Sequence, residues 1–183
     1  MTFTLCIVRD EDPVNPRLDD DNLSRMICFH QRYNLGDEHN IDASDFNDWD
    51  DMAAHLTQAH DAAVILPLFL YDHSGISLQT SPFNCPWDSG QIGFIYMSRT
   101  TVRNEAPGHP KTLSKAAKAW ATQCLLAEVQ RYDQYLNGDV WGYVIEDSDS
   151  HEIESCWGFY GEDYCKTECE DVMARWMARQ EAA

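Results

Sequence analysis

The sequence predicts an α+β protein, with a mainly antiparallel sheet and about three helices packed on one face. Short apolar segments separated by turn residues are typical of antiparallel strands, and three longer segments repeat apolar residues at helical spacing. The predicted element order is β-β-α-β-β-β-α-β-β-α. Because 183 residues with 44% hydrophobic content are enough to bury a core, we expect a single domain over residues 1–183.

The first two strands and the first long helix are predicted near the N-terminus. Residues 2–8 and 23–30 are apolar segments typical of strands, and the charged segment 9–21 between them is predicted as a loop. Ser44 is a suitable N-cap for a helix over residues 45–60, whose first turn is rich in aspartate. Apolar residues three or four apart form the inner face of this helix: Phe46, Trp49, Ala53 and Leu56.

A meander with one long loop is predicted in the middle of the chain. Residues 62–71 form a nearly continuous apolar run, typical of a strand buried on both faces. Pro67 within this run indicates an edge position, a bulge or a break. A turn at residues 72–75 leads into a half-buried strand at 76–79, and residues 91–97 return as a further strand.

The C-terminal half is predicted to contain two further helices and a hairpin. The longest helix begins at Thr112 or Ser114 and ends at Asn137, since Gly138 supplies a C-terminal stop. A short helical turn, the hairpin strands and the final helix cover residues 100–105, 139–146, 153–160 and 162 to about 179. Apolar residues of the final helix are expected to face inward: Tyr164, Val172, Met173 and Trp176.

The net charge of −18 is the dominant global property of the chain, and it is unevenly distributed. Residues 1–51 and 132–183 carry net charges of −9 and −10, whereas residues 52–131 carry +1. Such a charge excludes generic affinity for nucleic acid or anionic lipid, because like charges repel, and it favours basic partners. The alternatives are solubility or adaptation to high salt.

Neither a targeting signal nor a membrane span is recognisable in the sequence. Residues 3–8 form too short an apolar run for a signal peptide and lack a basic flank. No run approaches the ~18–20 apolar residues that a membrane span needs. We therefore expect a cytoplasmic location in the host cell, with reduced thiols.

Four motifs carry a resemblance to a known family: DHSGI, SPFNCPWDSGQIGFIY, YDQYLNGDVWGY and ESCWGFYG. In these motifs the chain resembles an uncharacterised family of small proteins encoded by phages and other mobile elements. The resemblance covers roughly residues 70 to 165, and the Cys-Pro-Trp-Asp-Ser-Gly string is its most specific part. It implies a genomic setting rather than a mechanism, and it assigns no catalytic residue.

The segment 71–97 concentrates a His, two Asp, a Cys, three Gly, two Pro and a Trp between two apolar runs. Glu128 lies on the apolar stripe of the longest helix, where a carboxylate needs a polar partner. We therefore expect the loop to fold back on this helix, so that Asp88 or His73 approaches Glu128. The resulting pocket would perform acid–base chemistry or hold a cation, unless its groups only form a structural network. Its candidate residues are Asp72, His73, Asp88, Glu128 and Tyr132.

The cysteines and tryptophans offer weaker signals. Cys85 and His73 would be the nucleophile and base of a cysteine hydrolase, but Cys85 lies in a loop without an oxyanion-hole glycine pattern. Cys165 and Cys169 share a helix face, but no second closely spaced pair of ligands accompanies them. We expect no metal, no cofactor and seven free thiols. Three tryptophans beside glycine or turn residues serve either core packing or the stacking of a ligand: Trp87, Trp141 and Trp157.

The charge pattern leads to a hypothesis of function. We expect a non-enzymatic phage or mobile-element protein that binds a basic, nucleic-acid-handling host protein. It would be an anti-restriction or anti-CRISPR type inhibitor acting by nucleic-acid mimicry, without direct nucleic-acid binding. B-DNA carries one phosphate charge per ~1.7 Å of axis, so that a mimic needs closely spaced carboxylates. Two segments supply them and would form one face if they lie side by side: Asp42, Asp45, Asp48, Asp50 and Asp51, with Asp147, Asp149, Glu152, Glu154, Glu162 and Asp163.

Two other functions remain open from the sequence. The first is a small enzyme that uses the Asp72, His73, Asp88 and Glu128 region on a small polar substrate. The second is a housekeeping domain of a halophile, whose charge has no partner. The enzyme needs these groups together in a cleft, whereas the binding protein needs carboxylates arranged at fixed positions.

Overall fold

The computed structural model describes residues 3–18 and 21–181, the side chains of residues 179–181 excepted. The chain separates into two compact units. The central unit is Pro16–Asp133, and the terminal unit combines Met1–Asn15 with Gln134–Ala183. The single domain expected over residues 1–183 stays a prediction. Thr2, at the start of the first predicted strand, and Asp19 and Asp20, in the predicted charged loop, lie outside the described residues.

The α+β class with antiparallel sheets is confirmed, but the strands form two sheets instead of one. The strands are Thr4–Arg9 (β1), Arg25–Cys28 (β2), Ala62–Asp72 (β3), Ile76–Gln79 (β4), Ser89–Ser98 (β5), Val140–Glu146 (β6) and Glu152–Tyr160 (β7). The α-helices are Trp49–Ala59 (α1), Arg99–Glu105 (α2), Lys115–Leu136 (α3) and Glu162–Glu181 (α4). Two short 3-10 helices cover Pro16–Leu18 and Ala43–Asp45.

The sheet of the central unit has the order β2-β5-β3-β4, with every neighbouring pair antiparallel. Residues 92–97 of β5 are all buried, which requires that both faces of the sheet are covered. Strand β4 pairs only with the end of β3, at Phe69–Asp72. Pro67 therefore lies in a part of β3 that has β5 as its one neighbouring strand, and a register shift follows at Leu68 and Phe69. The sequence prediction for Pro67 is therefore confirmed.

Helix α1 covers one face of this sheet. Its fully buried residues, Met52 and Leu56, pack against a cluster that includes Ile27, Phe94 and Tyr96. Three other residues predicted for the inner face are half-buried and pack against the same cluster: Phe46, Trp49 and Ala53. The face of α1 was therefore predictable from apolar spacing.

The start of α1 differs from the prediction, because aspartates rather than Ser44 supply the caps. Asp48 is the N-cap of α1, and its carboxylate accepts a 2.8 Å hydrogen bond from the backbone N–H of Asp51. Phe46 is extended, so that the Ala43–Asp45 turn, capped by Asp42, is a separate element. The predicted helix over residues 45–60 therefore begins four residues too early.

Replacing Asp48 by alanine is expected to lower the free energy of unfolding by about 1 kcal/mol, because the cap of α1 is lost. Asp48→Asn is the matched control, since asparagine caps as well as aspartate does. Chemical denaturation of both variants measures the difference. Equal stability of the alanine and asparagine variants would show that this cap does not hold the helix.

Helix α3 lies across the central sheet between its two edge strands. Ser114 caps its start by accepting a 3.1 Å bond from the N–H of Ala117, and Gly138, with φ of 73°, follows its end. Asp133 bonds to the backbone N–H of Leu78 in β4, while Glu128 accepts the N–H of Leu23 just before β2. The buried residues of the helix are Ala117, Ala121, Leu125, Val129 and Tyr132.

The terminal unit contains a three-stranded antiparallel sheet in the order β1-β6-β7, packed on α4. The core between them includes Tyr143, Ile145 and Val172, together with fully buried Cys165 and Cys169. The latter two thiols therefore act as small apolar core residues. Of the residues predicted to face inward from the final helix, Met173 and Trp176 pack against this core and Tyr164 is exposed instead. Within the described ranges, no helix is both long and apolar enough to cross a bilayer.

Candidate functional site

A densely bonded polar cluster in the central unit is built around Arg17, whose side chain is only 2% exposed. Its guanidinium donates hydrogen bonds to both carboxylate oxygens of Asp37, at 2.9 and 3.0 Å. It also donates to Glu128 at 2.7 Å, to the side-chain oxygen of Asn22 at 3.1 Å and to the carbonyl of Ser24 at 3.1 Å. All five N–H donors are therefore used inside the protein, and none remains for a ligand.

Glu128 has a polar partner, as its position on an apolar stripe predicts, but the prediction of Asp88 or His73 as that partner was wrong. Its carboxylate binds Arg17, the Ser24 hydroxyl and, at 2.9 Å, the backbone N–H of Leu23. The approach of Asp88 or His73 to Glu128 is therefore not found. Tyr132, placed in the same predicted pocket, accepts the N–H of Gly36 at 3.0 Å instead.

The Arg17 cluster is a structural clamp. Burial by itself works to lower the pKa of Arg17, but the hydrogen bonds and charges of Asp37 and Glu128 outweigh it and hold the pKa above its ordinary value. The clamp joins α3, the segment before β2 and the turn at Asp37, whose carboxylate also accepts the N–H of Met26 at 2.8 Å. Sequence reasoning missed Arg17 because its segment reads as a charged loop.

The other three predicted pocket residues do come together, at the turn between β3 and β4 and the loop before β5. His73 Nδ1 lies 3.5 Å from Asp88 Oδ2, and the backbone N–H of Asp72 donates to the carbonyl of Asp88 at 2.8 Å. The Cys85 thiol also contacts Asp88 Oδ2, at 3.4 Å. Because Cys85 faces a carboxylate rather than the imidazole of His73, the geometry of a cysteine–histidine pair is not present.

Two residues that the sequence did not single out complete this group. The Arg32 guanidinium bonds to the Asp72 carboxylate and lies over the ring of Tyr33, 5.4 Å from its centroid. His30 Nδ1 accepts backbone N–H bonds from Arg32 and Tyr33, both at 3.3 Å, which favours the tautomer that carries its proton on Nε2. This Nε2 points towards Asp72 Oδ2 at 4.0 Å, which is too long for a hydrogen bond.

An open cleft of about 420 Å³ lies above these side chains, within the central unit. Trp87 stands at its rim with 92% of its surface exposed, so that this indole does not serve core packing. The lining residues are His30, Arg32, Leu70, Asp72, Trp87, Asp88, Ser89, Gly90 and Ile92. We call this feature the Trp87 cleft. A broader groove of about 960 Å³, lined by Phe29, Tyr33, His39 and Trp49 among others, shares His30 with it.

The other two tryptophans of interest lie in the terminal unit. Trp157 rests across Gly142 of the neighbouring strand, where an added Cβ would meet its ring at 2.3 Å. Trp141 donates its indole N–H to Asp139 at 2.7 Å and carries the Arg9 guanidinium over its ring, at 5.0 Å. Glycine thus allows close indole packing, as the sequence indicated, but across strands.

The aspartates of residues 42–51 are all exposed, and three of them have local structural roles. Asp42 caps the 3-10 turn, and its bonds from the N–H and hydroxyl of Ser44 hold its pKa below the ordinary value. Asp48 caps α1, and Asp51 accepts both the backbone and side-chain N–H of Asn47. Asp45 and Asp50 are also exposed, and among the described residues no hydrogen bond to the carboxylate of either is found.

The acidic residues predicted for binding in the terminal unit divide in the same way. Asp149, Glu152 and Asp163 are exposed, although Glu152 accepts the Ser155 hydroxyl at 2.7 Å. Asp147 is half-buried, and bonds from the N–H groups of His151 and Asp149 hold its pKa below the ordinary value. The last two have side-chain partners: Glu154 accepts the Trp176 indole N–H at 2.6 Å, and Glu162 pairs with Lys166 at 2.6 Å.

One group of described residues has the spacing of metal ligands. The ligand atoms of Asp147, Asp149 and His151 all lie within 4.8 Å of one another, in the exposed turn between β6 and β7. Oδ1 of Asp147 already accepts two backbone N–H groups there, which accounts for the turn without an ion. The expectation that the protein binds no metal stays a prediction.

All seven cysteines are free thiols, and their environments predict an ordered reactivity. Burial raises the pKa of Cys28 to about 12 and that of Cys165 to about 11, whereas Cys156 is exposed. A thiol reagent at mildly alkaline pH is expected to modify Cys156 quickly, and Cys28 and Cys165 only after unfolding. Mass spectrometry of timed samples checks the order. Early modification of Cys28 in folded protein would contradict the described burial.

Comparison with known proteins gives no family assignment. No protein-family model, curated protein or solved structure matches the chain. The resemblance to phage and mobile-element proteins therefore stays a prediction from the quoted motifs.

Proposed function

We propose that the protein is a non-enzymatic binding protein that imitates nucleic acid and occupies the nucleic-acid groove of a basic protein. In the setting that the sequence motifs imply, the partner is a host defence protein, and the chain of a phage or mobile element inhibits it. The observation that carries the proposal is the uncompensated charge of the terminal unit. This unit has 15 acidic and four basic residues, a net charge of −11 with histidine neutral.

The basic residues of the terminal unit are engaged within it, as far as its side chains are described. Lys166 pairs with Glu162 at 2.6 Å, and Arg175 donates to the carbonyl of Asp171 at 3.2 Å. Arg9 donates to the carbonyl of Gly138 at 3.1 Å and lies over Trp141. A partner's cations would therefore meet exposed carboxylates with few competing bases, as they do on a phosphate backbone.

The exposed acids of this unit lie on regular elements that can fix their spacing. Asp149 and Glu152 are at the turn and start of the β6–β7 hairpin, and Asp163 and Glu170 are on α4. Seven residues of α-helix span about 10.5 Å, so Asp163 and Glu170 stand roughly three single-strand phosphate spacings apart along one helix side. A face built on a helix and a hairpin keeps such spacings at low entropic cost.

Residues 42–51 make a smaller contribution in this proposal. Asp42 and Asp48 already serve as caps, and Asp51 accepts the N–H groups of Asn47, which explains part of this acidic run without a partner. Asp45 and Asp50 remain as candidates for binding. The idea that both acidic segments form one continuous face involves both units and stays a prediction.

The alternative of a small enzyme keeps one supporting observation, the placing of Asp72, His73 and Asp88 at an open cleft. It loses Glu128, which the Arg17 clamp holds elsewhere. An enzyme needs these groups for turnover, whereas a nucleic-acid mimic needs only the exposed carboxylates. Removing His73 therefore separates the two functions.

Two triple variants test the proposal, each of which changes the net charge from −18 to −15. The test variant carries Asp149→Asn, Asp163→Asn and Glu170→Gln in the terminal unit. The matched control carries Glu38→Gln, Asp61→Asn and Glu105→Gln, at exposed sites of the central unit. Both are used to capture proteins from a bacterial lysate at about 50 mM and about 500 mM salt, with and without duplex DNA.

The parent and control variants are expected to capture the same nucleic-acid-binding protein at low salt, and duplex DNA is expected to displace it. The test variant is expected to lose most of this capture, because its negative face is interrupted. Equal capture by both triple variants would show that only net charge matters, which would end the proposal of a fixed mimicking face.

A further inference from the structure

Beyond its acidic surface, the protein has a second feature of binding sites in the Trp87 cleft. At about 420 Å³ the cleft has a size within the range of about 300–1,000 Å³ found for small-ligand sites. It lies wholly within the central unit, between the start of β5, the end of β3 and the segment after β2. The Arg17 clamp and the exposed acids of residues 42–51 take no part in its lining.

Trp87 is the first observation that points to an occupant. Tryptophan is among the residues that dominate binding interfaces, because its large rigid ring gains much from burial. Here the ring is 92% exposed on a loop that Cys85 and Ser89 fix, since the Ser89 hydroxyl donates to the carbonyl of Cys85 at 2.5 Å. An ordered loop that presents an indole to solvent is a platform on which a flat group can stack.

The charged side chains beside the indole determine whether the cleft favours a cationic or an anionic ligand group. The Asp88 side chain is 37% exposed, and the side chains of His73 and Cys85 both contact its Oδ2 atom. Asp72 lies deeper, and its carboxylate is held by Arg32. Two carboxylates oppose one guanidinium in the cleft, so that an anion such as phosphate is disfavoured and a cation is favoured.

The protein's own Arg32 shows what these side chains can hold. Its guanidinium is positioned between the Asp72 carboxylate and the aromatic ring of Tyr33. Trp87 and Asp88, neighbours in the lining of the cleft, supply the same two kinds of group, an aromatic ring and a carboxylate. A guanidinium is planar, so it stacks on an indole ring and binds a carboxylate through two parallel N–H donors. An ammonium group can neither stack in this way nor make the paired bonds.

We propose that the Trp87 cleft binds an arginine side chain of a basic protein partner, with the guanidinium stacked on Trp87 and hydrogen-bonded to Asp88. The proposal rests on the proposed function only for the nature of the partner. The cleft itself is testable with a small probe and no partner, so that either proposal can fail while the other holds.

The test follows the indole N–H signals of the ¹⁵N-labelled full chain by NMR while N-acetyl-arginine amide is added. Trp87→Phe assigns the Trp87 signal, because that signal disappears in the variant. We expect a saturable shift of the Trp87 signal with a dissociation constant of about 10–100 mM, as for one exposed cation–π contact and one ion pair. The Trp157 signal, which belongs to the other unit, is expected to stay in place.

Two probes and three variants make the test specific. N-acetyl-citrulline amide has nearly the same shape without the charge, and N-acetyl-lysine amide has the charge without the plane. Asp88→Asn removes the carboxylate, and Gly90→Val fills the cleft at a position where an added Cβ meets nothing within 4 Å. Asp61→Asn, at an exposed carboxylate that pairs with Arg99 at 3.0 Å, is the control.

The proposal expects roughly fivefold weaker binding of the arginine probe in Asp88→Asn and Gly90→Val, and unchanged binding in Asp61→Asn. Citrulline and lysine probes are expected to shift the Trp87 signal less at equal concentration. No movement of the Trp87 signal, or equal movement with the citrulline probe, would overturn the proposal. If Asp88→Asn and Gly90→Val both bound the arginine probe as tightly as the parent protein does, the proposal would be overturned as well, because neither the carboxylate nor the space would then matter.

Discussion

Replacing Arg17 by methionine is expected to lower the free energy of unfolding by about 3–5 kcal/mol. The variant leaves the half-buried carboxylates of Asp37 and Glu128, whose side chains are 7% and 13% exposed, without their shared cation. Burial of an unpaired charge costs far more than the loss of a surface ion pair. The clamp between α3 and the turn at Asp37 is lost at the same time.

Arg25→Met is the matched control, because Arg25 lies 3.6 Å from the same Asp37 but is 57% exposed. We expect it to cost less than about 1 kcal/mol. Adding Glu128→Gln to Arg17→Met removes one of the stranded charges and is expected to recover part of the loss. Urea denaturation of the three variants measures these differences. Similar stabilities of Arg17→Met and Arg25→Met would mean that the clamp contributes no more than a surface ion pair.

Replacing Gly93 by alanine is expected to cost about 3 kcal/mol or to prevent folding at physiological temperature. An added Cβ would lie 1.9 Å from the carbonyl oxygen of Ile27, a backbone atom that no change of rotamer can move. Gly93 pairs with Cys28 and with Leu68 at the irregular point of β5, so that relief requires a shift of two strand pairs.

Gly90→Ala in the same strand is the control for this effect. An added Cβ there meets nothing within 4 Å, so we expect a change within about 0.5 kcal/mol. Thermal unfolding followed by circular dichroism measures both variants. If Gly93→Ala were as stable as Gly90→Ala, the close pairing of β2 and β5 at this point would be wrong.

Local patterns in the sequence were sufficient to predict most elements. The apolar run at 62–71 became β3, and the proline within it lies where its strand has a single neighbour. The two segments around the acidic turn became the β6–β7 hairpin. In both cases the deciding signals, apolar periodicity and turn residues, act within a few residues of the chain.

The parts that could not be predicted depend on contacts between distant residues. Glu128 needed a polar partner, but apolar spacing cannot choose among the distant groups, and Arg17 is 111 residues away. Asp48 and Ser44 are both good caps, and the choice between them follows from the extended backbone at Phe46. The separation of the strands into two sheets depends on pairing partners, which alternation within a strand does not specify.

Trp87 is the clearest case in which a local rule failed at a candidate site. Most tryptophans are largely buried in a protein core. Turn residues flank Trp87 in the sequence, but they do not determine which side of the loop its ring faces. The structure exposes it next to Asp88, whereas Trp157 covers Gly142. The exposed indole is therefore visible only once the loop is folded.

The central claim is that carboxylates at fixed positions replace nucleic acid in a partner's groove. Its most direct test is the affinity of the purified complex over a salt series from about 50 to about 200 mM, with and without duplex DNA. If about four carboxylates act as phosphates, affinity is expected to fall roughly a hundredfold over this range, and DNA is expected to compete fully. An affinity that does not change with salt, or a ternary complex in which DNA and the protein bind together, would contradict the account.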